Sequence, residues 1–109
     1  MRSPESVIGF REHEPVTTPL SDDDLVDIVT QEARRVGEAL GVTDGIGPGK
    51  SVQFMVQGVP VNVYLVIHGP KDSPKRYELG VTAPLDSTKF DLRSVLKSLG
   101  YQAGEIKRL

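Results

Sequence analysis

The chain has 109 residues, 38% of them hydrophobic, with 13 basic side chains against 15 acidic ones and no cysteine. That length holds one compact domain with its own core; its 32 Leu, Ile, Val and Phe residues remove it from the disordered class, and no apolar run approaches the roughly 18 residues of a membrane helix. Without cysteine there is no disulfide framework, thiolate nucleophile, iron–sulfur cluster or Cys-ligated zinc.

Charge is unevenly placed. Residues 1–49 carry ten acids against four bases, whereas residues 70–109 carry eight bases against five acids. A net charge of −2 argues against a non-specific nucleic-acid binder, which shows a plain basic excess, while the asymmetry leaves room for a local basic face. The start, Met1-Arg2-Ser3-Pro4-Glu5, has one base and no apolar stretch behind it, so no secretory signal is expected and the chain is read as cytoplasmic.

Residues 1–20 contain Pro4, Pro15 and Pro19 and one short apolar stretch, Val7 to Phe10. They read as an extended arm in which Val7–Phe10 forms a short edge strand, a partner-docking segment or part of a mobile leader. Ser21 then opens a helix. Its hydroxyl can cap free amides, and Asp22, Asp23 and Asp24 sit where the positive end of the helix dipole favours anions. Leu25, Ile28, Val29, Val36 and Leu40 recur at helical spacing and form one apolar stripe. Gly41 stops the helix, and Gly37 within it suggests a close approach to a sheet.

After a Gly-rich stretch from Asp44 to Gly49, the period changes from helical to alternating. Val52, Phe54 and Val56 share one face, and Val59, Val61, Val63, Leu65 and Ile67 continue it after a tight reversal at Gly58. Turn chemistry over Gly69–Pro74 leads to a third strand with Tyr77, Leu79 and Val81 inward. Asp86 or Ser87 caps a second helix with apolar positions Phe90, Leu92, Val95, Leu96 and Leu99, ended by Gly100. The expected fold is α+β over residues 21–100: a three-stranded antiparallel meander with a helix before and after it (α-β-β-β-α), both helices on one face of the sheet. Residues 101–109 are left as a short tail.

No catalytic constellation emerges. Gly45-Ile-Gly-Pro-Gly-Lys-Ser51 ends like a phosphate-binding loop, but Asp44 replaces the leading Gly, and the loop lies between a helix and a strand instead of between a strand and a helix. His13 in Arg11-Glu-His-Glu-Pro15 alternates with its acids, a poor chelating geometry in extended chain. No metal or cofactor is expected, and the chain is read as a non-enzyme.

The outward sheet face is more informative. Met55, Tyr64 and Val66 fall there beside His68 and Arg76, side-chain types that include those enriched at protein interfaces. The leading expectation is a protein-interaction module (an adaptor, inhibitor or assembly subunit) that binds a protein partner or itself through this face or the arm. A competing expectation is nucleic-acid binding. Lys89, Arg93 and Lys97 form a basic stripe at intervals of four on the second helix, with Lys71, Lys75 and Arg76 near in sequence.

Overall fold

The structure, a computed structural model, describes residues 5–13, 20–69, 76–84 and 92–103. In chain order these residues form β1 (Glu5–Glu12), α1 (Asp22–Ala39), β2 (Ser51–Val56), β3 (Val59–His68), β4 (Arg76–Pro84), α2 (Leu92–Ser98) and β5 (Gln102–Ala103). The sheet runs β2-β3-β4-β1-β5 and every pairing in it is antiparallel.

The α+β class and the antiparallel meander β2-β3-β4 are as expected, but three strands are too few. Residues 5–12, read as part of an arm, form a strand of the sheet that pairs with β4 along its length and, at Gly9 and Phe10, with β5 on the other side. The register shifts between Val7 and Gly9. Such a bulge breaks the two-residue alternation that marks a strand in sequence. The supposed tail contributes Tyr101, which is buried, and the two-residue β5. The expected caps Asp86 and Ser87 and the apolar Phe90 lie outside the described residues; α2 is described from Leu92 onward.

α1 begins as its sequence dictates. The Ser21 hydroxyl accepts the Asp24 N–H, and the Asp24 carboxylate accepts the Ser21 N–H, a reciprocal cap that satisfies one free amide at each residue. At the other end Gly41 takes φ 81°, where L side chains are strained, and closes the helix. Gly37 is tight against the following loop more than against the sheet: a Cβ there would stand 2.5 Å from Ile46 Cδ1 and 3.7 Å from Phe54 Cε2.

One core lies between the sheet and both helices. Val29, Ala33 and Val36 of α1 and Leu92 and Leu96 of α2 share a cluster with Val52, Phe54, Val56, Val61, Val63, Leu79 and Val81. α1 covers β2 and β3 while α2 covers β1 and β5, which puts both helices on the same face. The hairpin turn at Gln57-Gly58 has positive φ at both residues (50° and 80°), the signature of a type I′ reversal matched to strand twist.

Ile67 departs from the expected core. It is 47% exposed because β3 runs past the start of β2. Ser51 pairs with Tyr64, so, among the described residues, positions 65–68 pair with β4 alone.

Candidate functional site

The sheet face away from the helices carries the five residues singled out by patterning, and the register places them in two groups. Tyr64, Val66 and His68 follow one another along β3, with Gly80, Glu78 and Arg76 opposite them on β4. Met55 pairs with Pro60 at the hairpin end, six residues from Val66 and so about 20 Å away along the strand. Met55 is therefore separate from the patch that the other four residues form.

Within that patch the Tyr64 ring lies over Gly80. A Cβ at Gly80 would stand 2.5 Å from Tyr64 Cζ and 2.7 Å from its hydroxyl oxygen, so the ring occupies the space that a side chain at 80 would fill. Burial and the negative charge of Glu78 both push the Tyr64 phenol above its ordinary value, and it stays a neutral hydroxyl. The polar members are also engaged: Arg76 Nη1 donates to Glu12 Oε1 at 2.7 Å, and the His68 ring nitrogen Nε2 stands 3.5 Å from Glu78 Oε1. These are exposed or half-exposed pairs of small energetic weight.

What remains uncommitted is apolar. Met55, Val66 and Ile67 are the exposed large hydrophobic side chains among the described residues, at 52%, 36% and 47% exposure, and all three sit on the β2-β3 hairpin. They accompany a backbone edge. Among the described residues β2 has a neighbour on one side only, and β3 has none beyond Tyr64 on that same side. Ser51–Val56 contains no charge and no proline, the two usual guards against strand addition.

A second constellation was not foreseen. Glu32 of α1 is 5% exposed and receives two guanidinium groups in forked geometry. Arg11 of β1 contributes Nε to Oε2 at 3.2 Å and Nη2 to Oε1 at 3.0 Å; Arg35 contributes Nε to Oε1 at 3.0 Å and Nη2 to Oε2 at 2.9 Å. The Tyr101 hydroxyl donates to Oε2 as well, and Arg35 Nη2 also reaches the Leu99 carbonyl at 2.9 Å. The Arg11 guanidinium lies 5.8 Å from the Tyr101 ring centroid, within cation–π range.

Burial alone would raise the Glu32 carboxyl pKa. The bonds from Arg35 and Tyr101 and the charges of Arg11 and Arg35 outweigh it and hold the group below its usual value. The same burial, with the negative Glu32 beside it, pushes the Tyr101 phenol far up. This cluster borders a cavity of about 250 Å³, whose walls also include His13, Ile28, Gln31 and Leu79. A carboxylate so saturated with donors stays ionised and is a poor general acid. The sequence signal was an acid on the apolar stripe: Glu32 falls between Ile28, Val29 and Val36 at helical spacing.

The basic stripe is only partly within view. Lys71, Lys75 and Lys89 lie outside the described residues; Arg93 is on α2, and Lys97 is exposed in its last turn. Lys50, at the foot of β2, pairs with Asp22 at 2.8 Å, and the Lys50 hydrogen bond and charge lower the Asp22 carboxyl. In the Gly-rich loop the Gly49 N–H is given to Thr30 Oγ1 at 3.2 Å. Among the described residues no three His, Asp or Glu side chains gather to hold a metal, and no helix is long and apolar enough to cross a membrane. No protein-family model, curated protein or solved structure matches the chain.

Proposed function

We propose that the chain is a non-enzymatic protein-interaction module that associates through the β2-β3 side of its sheet. One observation carries this reading: the exposed large apolar side chains of the described residues, Met55, Val66 and Ile67, are all on that hairpin, next to an open strand edge. Single apolar residues on a surface mean little, whereas apolar residues spaced along a strand pair beside free backbone donors and acceptors suit a partner that adds a strand. Two further features support it. Glu32, the buried acid among the described residues, is held as a charge by Arg11, Arg35 and Tyr101, and residues 5–12 are taken up as a strand of the sheet instead of standing free as an arm.

The test replaces Met55→Ser, Val66→Thr and Ile67→Thr together and leaves Tyr64 in place, because its ring covers Gly80. The expected result is an unchanged far-UV circular dichroism spectrum with loss of association, both in sedimentation of the chain alone and in capture of proteins from its host. A folded variant that keeps every association of the parent overturns the reading.

A further inference from the structure

We propose that the partner at this edge is a second copy of the same chain, joined β2 to β2 in antiparallel register with Gln53 on a two-fold axis. The inference rests on the interaction reading above and adds the identity and register of the partner.

The backbone geometry follows from the turn. Val56 and Val59 flank a two-residue reversal and pair with each other, so they are a hydrogen-bonded pair, and pairs alternate from there. Phe54 with Val61 and Val52 with Val63 are then hydrogen-bonded pairs, while Met55, Gln53 and Ser51 turn their N–H and C=O groups away from β3. Pro60 fits this assignment: it pairs with Met55, where no N–H is needed toward β2. The free edge of β2 therefore offers three backbone positions, 51, 53 and 55, spaced evenly about Gln53.

An antiparallel copy of β2 presents the same three positions in reverse order and so meets this edge symmetrically about Gln53. Ser51 meets Met55 of the second copy, Gln53 meets Gln53, and Met55 meets Ser51, which gives three double-bonded pairs. On the helix side Val52 faces Phe54 of the other copy, so the apolar and polar faces of the two sheets run on without a break. Registers shifted by one residue put apolar side chains against the polar face. A shift by two, centred on Phe54, keeps the faces but retains only two of the three pairs. The strand carries no charge, so self-pairing brings no like charges together. At the opposite end of the sheet the described part of β5 is two residues long and interrupts the edge of β1 at Gly9 and Phe10, so no uninterrupted six-residue edge like that of β2 is presented there by the described residues.

The chain has no cysteine, so a single introduced thiol reports on the axis alone. Hydrogen-bonded partners in an antiparallel pair have Cα atoms about 5.5 Å apart, inside the range a disulfide spans. The expected results are a sedimentation mass near twice 11.9 kDa at tens of micromolar, a disulfide-linked dimer from Gln53→Cys under mild oxidation, and none from Ser51→Cys. Gln53→Lys, at an exposed position, places two ammonium groups on the axis. It is expected to return the mass to that of the monomer with an unchanged circular dichroism spectrum. A dimer that survives Gln53→Lys and yields no Gln53→Cys link overturns the β2 pairing and leaves interaction through the hairpin standing. A chain that is monomeric at every concentration overturns the second-copy partner. In that case the capture arm of the triple variant separately decides whether the hairpin binds another protein.

Discussion

Glu32 is the residue on which three parts of the chain converge: Arg11 comes from β1, Arg35 from its own helix and Tyr101 from the segment after α2. Glu32→Gln keeps the shape but removes the charge that both guanidinium groups face. Breaking a buried pair typically costs about 3–5 kcal/mol; here Arg11 and Arg35 are 31% and 40% exposed and can rehydrate, so about 2 kcal/mol is expected from urea denaturation at pH 7. The pH dependence has a definite sign. The folded-state pKa lies below the ordinary value of 4.5, so the contribution of Glu32 is fully present above pH ~4.5 and is lost as pH falls through that value toward the lower folded one. Urea midpoints of the parent protein should decline over that acid range more steeply than those of Glu32→Gln. Parallel curves would show that Glu32 is not the linked group. Position 32 was legible in one respect, since an acid on an apolar stripe requires cationic partners. Arg35 lies three residues away in sequence, whereas Arg11 and Tyr101 could not be located without the fold.

Legibility at the scale of elements follows the strength of local periodicity. α1 combines a reciprocal cap, a stripe and a glycine stop, and β2 and β3 alternate around a two-residue turn; each of these signals is contained within its own segment. β1 has a bulge where alternation would have identified it, and β5 is two residues that become a strand only because β1 is beside them. Gly9 allows that contact. A Cβ there would lie 3.1 Å from the Gln102 carbonyl oxygen and 3.4 Å from both Leu96 Cδ1 and Tyr101 Cβ. Gly9→Val should therefore push α2 and β5 off β1 and draw the Tyr101 hydroxyl away from Glu32, at the ~1–3 kcal/mol typical of overpacking. Amide hydrogen exchange distinguishes this from general loosening: protection should fall at Tyr101 and Gln102 first, while the β2-β3 hairpin, on the other side of the sheet, keeps its own. Equal loss in both regions would contradict the local account.

At the scale of the whole molecule, the order β2-β3-β4-β1-β5 gives the two sheet margins different characters. Among the described residues one ends in the two-residue β5, and the other is six residues of uncharged strand with apolar side chains beside it. None of this asymmetry was visible in composition, because it depends on which strand the first segment of the chain joins. If β2 pairs with its copy, folding and association are linked, and thermal stability must depend on concentration wherever the dimer is populated. A tenfold rise in concentration adds about 1.4 kcal/mol per dimer. Two chains of 109 residues unfold with an entropy of roughly 2.1 cal/mol/K per residue, so the midpoint should rise by about 3 °C for each tenfold step. Gln53→Lys should remove that dependence and melt at one temperature across the same range, because its monomer retains the core between the sheet and both helices. Scanning calorimetry over two decades of concentration separates the cases. A parent protein whose midpoint stays constant over those two decades would show that no dimer of folded chains persists to the melting temperature, and would contradict a β2 pairing strong enough to be linked to folding.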